Sequence, residues 1–200
     1  MYKYRYEKGQ STDSTFILLH GTGGNEEDLL PVAAALDAKA NVLSIRGNVF
    51  EDGKARYFKR LRKGQYDVSD LMTRGQELYA FIEEKAEEYQ FSLEEAIYLG
   101  FSNGANIAMN MMLLEDSRIN KGMLYAPMYP LDVEEVVDLP NVKVFLSMGE
   151  NDPIVPRRES ERVIAIFKDL GAEVTEFWVD GHELNGDNLL AGKEWLAKIQ

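Results

Sequence analysis

The sequence contains no cysteine and only two histidines among its 200 residues. Without cysteine, the chain has no disulfide, no cysteine nucleophile and no thiolate metal site. Two histidines are too few for a histidine-rich metal site, so we expect no metal. The same scarcity limits the search for a catalytic histidine to His20 and His182. The lack of cysteine is also typical of cytoplasmic proteins, and this is the location that we expect.

Long apolar runs and an excess of basic residues are missing as well. No stretch approaches the roughly 18 apolar residues that a membrane-spanning helix needs, so we expect no membrane span. The segment Met1–Glu7 alternates aromatic and charged residues and lacks the apolar core of a signal peptide. The formal net charge of −12 argues against nucleic acid or an anionic membrane as a partner. We therefore expect a small molecule as the partner.

Strand-like and helix-like patterns alternate along the chain. Thr15–Leu19 is a continuous apolar run, which is typical of a strand buried on both faces of a parallel sheet. The spacing of Leu78 and Ile82 predicts a helix that Ser69 caps. The other predicted strands cover residues 2–7, 41–45, 96–99, 122–125, 142–146 and 174–179, and the other predicted helices cover residues 26–36, 105–114, 156–170 and 188–199. This alternation predicts an α/β fold with a mostly parallel sheet and helices on both faces, and the length fits one domain over residues 1–200.

The most specific pattern in the chain is Gly100-Phe101-Ser102-Asn103-Gly104. It follows the apolar run 95–99 and precedes the helix-forming segment 105–114, so it joins a predicted strand to a predicted helix. A G-x-S-x-G sequence at such a junction is the nucleophile elbow of α/β-hydrolases, where a sharp turn exposes the serine hydroxyl. Glycines on both sides let the strand and the helix approach closely. We therefore predict that Ser102 is a nucleophile; a turn serine that happens to be flanked by glycines is the alternative.

A serine nucleophile needs a base and a group that orients the base. In α/β-hydrolases these groups follow in the order serine, acid, histidine, and the only histidine after Ser102 is His182. Because His182 follows the last predicted strand, we expect it at the same sheet edge as the elbow. For the acid we predict Asp152, which lies in a loop stiffened by two prolines after a predicted strand. Glu150 and Asp180 are the alternatives.

The reaction of a serine nucleophile also needs hydrogen-bond donors for an oxyanion. One donor would be the N–H of Asn103, and the other would come from the loop His20-Gly21-Thr22-Gly23-Gly24 after the first buried strand. A phosphate-binding loop is the alternative interpretation. It would need a glycine where Glu26 stands, and the acidic residues there would repel a phosphate. His20 is then expected to hold the loop by hydrogen bonds.

Taken together, the segments 20–24, 100–105, 149–156 and 181–183 resemble the phospholipase/carboxylesterase family of α/β-hydrolases. This family includes the acyl-protein thioesterases and small bacterial carboxylesterases. The resemblance covers nearly the whole chain and implies a single α/β-hydrolase domain without a large cap domain. It also implies that no cofactor or metal is needed.

Carried over by motif position, the resemblance implies a catalytic triad of Ser102, Asp152 and His182. It further implies an oxyanion hole made by the backbone amides of Thr22 and Asn103. The thioesterase branch usually has glutamine after the serine, where this chain has Asn103. Residues 46–48 and 55–60, together with the Phe-Ser-Asn-Gly sequence of residues 101–104, are more similar to the bacterial carboxylesterases. We therefore expect a serine carboxylesterase that cleaves small carboxylic esters.

The substrate pocket is less well defined by the sequence. Residues 49–66 form a long connection in which we predict no regular structure, and such connections often carry binding loops. Tyr57 and Phe58 are candidates to line an acyl or aryl pocket, with core packing as the alternative. Met128 follows a predicted strand end and is a further candidate for contact with the substrate. The expected partner is a small-molecule ester, and a homodimer is a further expectation.

Two other functions stay open at this point. An acyl-protein thioesterase or lysophospholipase would need an apolar channel for a long acyl chain. A non-catalytic ligand-binding α/β-hydrolase would gain nothing from an intact serine, acid and histidine.

Overall fold

Strands and helices alternate along the chain, as the sequence predicts. The computed structural model describes residues 1–10, 14–62, 65–131, 133 and 137–199. Its strands are β1 (Tyr4–Glu7), β2 (Thr15–Leu19), β3 (Asn41–Ile45), β4 (Val49–Glu51), β5 (Lys54–Arg56), β6 (Arg60–Arg62), β7 (Gln65–Tyr66), β8 (Ile97–Phe101), β9 (Lys121–Tyr125), β10 (Lys143–Gly149) and β11 (Glu173–Val179). Its helices are α1 (Leu30–Leu36), α2 (Val68–Tyr89), α3 (Asn103–Met112), α4 (Arg157–Asp169) and α5 (Gly186–Ile199).

The central sheet contains 7 strands in the order β1-β3-β2-β8-β9-β10-β11. β1 pairs with β3 in antiparallel orientation, and the other neighbouring strands pair in parallel. β2 and β3 are buried along their whole length, because helices cover both faces of the sheet. The prediction of a mostly parallel sheet is confirmed. Since the parallel strands all end at the same edge, the loops that follow them can meet there.

Two hydrophobic cores lie on the two faces of the sheet. On one face, α2, α3 and α4 pack with residues such as Leu78, Ile107 and Phe167 fully buried. On the other face, α1 and α5 pack around a cluster that includes Leu36 and Trp195. α3 is buried along its whole length, because it lies between the sheet and α2. The helix that follows the predicted elbow is therefore held rigidly.

Two helix starts differ from the prediction. α1 begins at Leu30 instead of residue 26, with Pro31 in its first turn, where the fixed φ of proline suits a helix start. α2 is capped by Asp67 instead of Ser69, and the Asp67 carboxylate accepts a hydrogen bond from the Asp70 N–H. Asp67 and Ser69 are both good capping residues, and the sequence pattern does not separate two caps so close together.

The connection over residues 49–66 has more regular structure than we predicted. β4 pairs with β5, and β6 pairs with β7, in two small antiparallel hairpins. The first hairpin turns at Asp52 and Gly53, whose φ angles are 50° and 73°. Asp-Gly with positive φ at both positions is a strong hairpin signal, but strands of three residues are too short to show a period. The prediction of an unstructured connection is therefore wrong.

The architecture is that of an α/β-hydrolase, as predicted. The mostly parallel sheet, the flanking helices and the absence of a large cap domain in the described ranges all agree with the expectation. Among the described residues, no helix combines the length and the apolar character that crossing a membrane requires.

Candidate active site

Ser102 lies at the sharp turn between β8 and α3, with φ 52° and ψ −114°. A residue with a Cβ seldom adopts a positive φ, so the backbone is strained at this point. Two hydrogen bonds hold the turn in place. The Ser102 N–H donates to the Tyr125 carbonyl over 2.8 Å, and the Asn106 N–H donates to the Ser102 carbonyl over 3.0 Å. These bonds fix the backbone on both sides of Ser102, whose side chain lies at the turn between β8 and α3.

The two glycines of the elbow allow the close packing that the sequence predicts. A Cβ added to Gly104 would lie 1.9 Å from the Leu19 carbonyl oxygen, which is far inside van der Waals contact. A Cβ added to Gly100 would lie 2.6 Å from the Ala105 Cα. The start of α3 therefore touches the end of β2. This contact brings the loop after β2 next to Ser102.

Replacing Gly104 by alanine should lower the free energy of unfolding by about 2–3 kcal/mol, because the backbone has to move to admit the new Cβ. The matched control is Gly186→Ala at the start of α5, where a Cβ would meet no atom within 4 Å. Urea denaturation followed by circular dichroism measures both variants. Equal midpoints for the two variants would contradict the close-packing interpretation.

The structure brings Ser102, His182 and Asp152 together in one hydrogen-bonded chain. His182 Nε2 lies 2.9 Å from Ser102 Oγ, and His182 Nδ1 lies 2.7 Å from Asp152 Oδ2. The other carboxylate oxygen of Asp152 accepts hydrogen bonds from the N–H groups of Ile154 and Val155, over 2.7 and 2.9 Å. These two bonds fix the orientation of the carboxylate. The arrangement can pass the serine proton to an imidazole that is already oriented.

The two alternative acids have other partners. The Glu150 carboxylate forms an ion pair with Arg157, on the exposed side of the loop. The Asp180 carboxylate accepts a hydrogen bond from the Asn151 side chain over 2.7 Å. Neither carboxylate contacts the His182 ring, so the geometry favours Asp152 among the three acids.

The Asp152 and His182 side chains are largely shielded from solvent. The Asp152 side chain is 1% exposed and the His182 side chain is 12% exposed. The Phe101 ring lies next to the imidazole, with ring centroids 5.3 Å apart. With little water to screen it, the carboxylate attracts a protonated imidazole more strongly than it would at the surface. Within the described ranges, no three acidic or imidazole side chains lie close enough together to hold a metal ion.

Thr22 lies in a tight turn directly after β2. The Gly24 N–H donates to the Gly21 carbonyl over 3.0 Å, and Gly23 has φ 84° at the third position of this turn. A positive φ at that position is typical of a type II turn, for which glycine is the usual residue. The Thr22 N–H donates to no other described residue. It is therefore available as a hydrogen-bond donor beside the elbow.

Asn103 is the first residue of α3, where backbone N–H groups have no partner within the helix. Its own N–H donates to no other described residue. The helix dipole adds partial positive charge at this end. Neither the Thr22 amide nor the Asn103 amide therefore has a hydrogen-bond acceptor among the residues that the structure describes.

His20 is buried, and both of its ring nitrogens have partners. Nδ1 lies 2.6 Å from the Gly21 carbonyl oxygen, and Nε2 accepts a hydrogen bond from the Gly47 N–H over 3.0 Å. This pattern requires a neutral ring with the proton on Nδ1. Burial lowers the pKa of His20 and so favours the same neutral form. His20 contacts none of the three residues of the Ser102 chain and holds the loop, as we expected.

Glu26 carries a buried carboxylate that is paired with two cations reaching the surface. Its carboxylate pairs with Arg46 and with Lys3, and the Glu26 side chain is 6% exposed. Burial acts to raise the pKa of Glu26, but hydrogen bonds from its own N–H, Lys3 and Arg46 outweigh this effect and lower the pKa to about 2. A permanently charged carboxylate here agrees with the argument against a phosphate-binding loop.

The predicted pocket residues have different fates. Tyr57 and Phe58 are both 0% exposed, so their side chains pack in the core and do not line an open pocket. Our candidate role for them as pocket residues is wrong, and the core-packing alternative holds. The apolar character that suggested a pocket serves the packing beneath the hairpins. Met128 is half-buried, and its N–H donates to the Asn106 side chain over 2.7 Å.

Sequence reasoning missed two polar residues that organise this edge. Asn106 accepts a hydrogen bond from the Met128 N–H and donates one to the Tyr66 hydroxyl over 3.0 Å, so it links β7 and the loop after β9 to α3. Arg56 is 4% exposed and donates to the Thr22 hydroxyl over 2.8 Å. An asparagine in the middle of a mostly apolar helix is a usable signal for the first. Arg56 had none, since it stands in a basic stretch that reads as a solvated surface.

Comparison with known proteins adds independent information. Residues 6–200 match the family described as Phospholipase/Carboxylesterase. MhqD of Bacillus subtilis (strain 168), which is named as a hydrolase, is 41% identical over 194 residues, covering 96% of this chain and 96% of that protein.

Solved structures give the same picture. The carboxylesterase of Bacillus cereus superposes with a TM-score of 0.96 at 40% identity, covering 100% of this chain and 95% of that chain. YahD, whose structure was determined with malic acid, superposes with a TM-score of 0.94 at 32% identity, covering 100% of both chains. The likeness therefore extends over practically the whole fold.

Proposed function

Because the chain belongs to the phospholipase/carboxylesterase family of α/β-hydrolases and is a carboxylic ester hydrolase, we propose that it cleaves small carboxylic esters through an acyl-enzyme on Ser102. The observation that carries this proposal is the hydrogen-bonded chain from Ser102 Oγ through the His182 ring to Asp152. In this proposal residues 1–200 act as one catalytic domain.

Acylation begins when Ser102 Oγ attacks the ester carbonyl carbon and His182 Nε2 takes the hydroxyl proton. Asp152 accepts the hydrogen bond from Nδ1, holds the ring in one tautomer and stabilises the imidazolium. The negative charge moves to the former carbonyl oxygen, where the Thr22 and Asn103 amides donate to it. When the carbonyl re-forms, the alcohol leaves and takes the proton from His182.

Deacylation repeats the same steps with water. His182 removes a proton from a water molecule, and the resulting hydroxide attacks the acyl carbon of the Ser102 ester. The second oxyanion binds to the same two amides. Its collapse releases the carboxylic acid and returns the proton from His182 to Ser102 Oγ. Every proton in the cycle passes through the His182 imidazole, because both ring nitrogens of His20 are already bonded to backbone groups.

Several observations support small esters over the alternatives. Asn103 stands where the thioesterase branch usually has glutamine, and the 40% identical relative from Bacillus cereus is a carboxylesterase. YahD was determined with malic acid, which is a small and polar molecule. The hydrogen-bonding geometry of Ser102, His182 and Asp152 is that of a working triad, which argues against a non-catalytic ligand-binding protein. The cytoplasmic location and the homodimer remain predictions.

Labelling with a fluorophosphonate tests the proposed nucleophile. One phosphonyl group per chain should appear on the peptide that contains Ser102, and hydrolysis of p-nitrophenyl acetate should stop in parallel. Mass spectrometry of the digested protein locates the group. Complete loss of hydrolysis with an unmodified Ser102 peptide would overturn the assignment.

The acyl-chain preference separates small esters from lipids. We expect p-nitrophenyl acetate and butyrate to be cleaved with a higher kcat/KM than the octanoate. The comparison uses initial rates with the three esters at the same pH. A clear preference for octanoate would instead favour the thioesterase or lysophospholipase alternative.

A further inference from the structure

One short segment of the chain contacts both halves of the proposed oxyanion hole. The segment is Ala55–Phe58, which we name the clasp segment. The Ala55 carbonyl accepts a hydrogen bond from the Gly23 N–H over 2.8 Å, next to Thr22 in the turn. The Tyr57 N–H donates to the Asn103 side chain over 2.8 Å. The turn that contains Thr22 and the Asn103 side chain are thus both hydrogen-bonded to the clasp segment.

Arg56 makes the most direct contact with this turn. Its Nη1 donates to the Thr22 hydroxyl oxygen over 2.8 Å, and its Nε donates to the Phe58 carbonyl over 3.3 Å. The guanidinium group also lies over the Phe58 ring, 5.9 Å from its centroid. These contacts hold the guanidinium in one orientation beside Thr22.

The charge of Arg56 is only partly balanced. Its closest carboxylate is that of Glu51, 3.6 Å from Nε, and the same Glu51 oxygen lies 2.7 Å from the Nε of Arg60. The carboxylate is therefore shared, and its stronger bond is to Arg60. A guanidinium that is 4% exposed with a shared partner is costly to bury, which is unusual for a purely structural residue.

The clasp segment is itself anchored to the sheet. The Tyr57 hydroxyl donates to the Ile45 carbonyl over 2.6 Å and accepts a hydrogen bond from the His20 N–H over 3.0 Å. Ile45 ends β3, and His20 directly follows β2. Two central strands therefore fix the position from which Arg56 reaches Thr22.

We propose that Arg56 is a positioning residue for the oxyanion hole. It fixes Thr22 through the hydroxyl group, so that the Thr22 N–H points to the substrate oxygen, and its positive charge favours the oxyanion over the neutral ester. This inference rests on the proposed function, because it assigns a role at the same site. Such a residue acts on the transition state more than on the bound ester, so it should affect kcat more than KM.

Kinetics of Arg56→Gln, Thr22→Val and the double variant test this inference. Arg56→Gln should lower kcat on p-nitrophenyl acetate by about 10- to 100-fold with KM changed by less than about 3-fold, a smaller loss than removal of an oxyanion donor causes. Thr22→Val removes the acceptor of the Arg56 bond and keeps the backbone N–H, so it should lower kcat by about 10-fold. Because both changes break the same bond, the double variant should be about as slow as Arg56→Gln alone. Arg62→Gln, on the exposed strand β6, is the matched control and should keep the wild-type kcat.

The outcomes separate this inference from the proposed function. An Arg56→Gln variant with wild-type kcat, or one that changes only KM, would overturn the role of Arg56 while hydrolysis by Ser102 stands. Multiplicative losses in the double variant would overturn the link through Thr22. If Arg56→Gln does not fold, Thr22→Val becomes the deciding variant, because Thr22 is exposed and can be replaced without disturbing the core. A Thr22→Val variant with wild-type kcat would then overturn the role of Arg56. If the wild type itself fails to hydrolyse any ester, the proposed function fails instead.

Discussion

Replacing Ser102 by alanine should lower kcat for p-nitrophenyl acetate by about 10⁴- to 10⁶-fold, because no other group can form the acyl-enzyme. The protein should nevertheless fold normally. Serine and alanine both carry a Cβ, so the strain at φ 52° is the same in the two proteins. Steady-state kinetics measures the loss, and thermal unfolding checks the fold. Ser69→Ala, on the exposed first turn of α2, is the matched control and should retain full activity.

This variant gives a clear decision about the elbow. Turnover that persists in a folded Ser102→Ala protein, at more than about 1% of the wild-type rate, would mean that another group is the nucleophile. A large fall in the unfolding temperature would contradict the argument that the strain comes from the backbone and not from the hydroxyl.

Replacing Asp152 by asparagine should lower kcat by about 10³- to 10⁴-fold. An asparagine keeps the size of the side chain and can still accept hydrogen bonds from the N–H groups of Ile154 and Val155. Its amide no longer carries the charge that stabilises a protonated His182. If the NH₂ group faces Nδ1, it also selects the tautomer that leaves the proton on Nε2, where Ser102 needs a base.

Two neighbouring acids provide controls for this second prediction. Glu150→Gln and Asp180→Asn remove the same charge in the same loop region, but they break contacts with Arg157 and Asn151 only. We expect both variants to stay within about 5-fold of wild-type kcat. If either of them loses as much activity as Asp152→Asn, the assignment of the acid has to change.

Much of the fold could be predicted from the sequence, because strong patterns decide it. The run Thr15–Leu19 is a strand with the predicted bounds, since a buried parallel strand is apolar throughout. Gly100 and Gly104 mark the positions around Ser102 where backbone segments pack too closely to admit a Cβ. The order of serine, acid and histidine then led to three residues that the structure brings into contact.

The remaining features depend on contacts that no local pattern contains. The sequence marks Tyr57 as aromatic in a polar stretch, but only the positions of Ile45 and His20 decide that its hydroxyl is satisfied inside the core. Arg56 looks like one of several surface cations until the fold brings Thr22 to it from 34 positions away in the sequence. The hairpins over 49–66 are too short for any periodicity. Such features follow from tertiary packing and are visible only in three dimensions.

The position of the tryptophans near the last strand of the sheet determines which part of the molecule intrinsic fluorescence reports on. The chain has 2 tryptophans, and they are Trp178 on β11 and Trp195 on α5, which packs against this strand. Among the strands that the structure describes, β11 pairs only with β10 and forms an edge of the sheet, and it ends shortly before His182. The Trp178 ring lies under the Arg157 guanidinium, 4.7 Å from its centre, so fraying of the edge would change its surroundings first. Intrinsic fluorescence therefore reports on the strand that leads into the His182 loop, and it can detect detachment of this strand while the opposite side of the molecule is still folded.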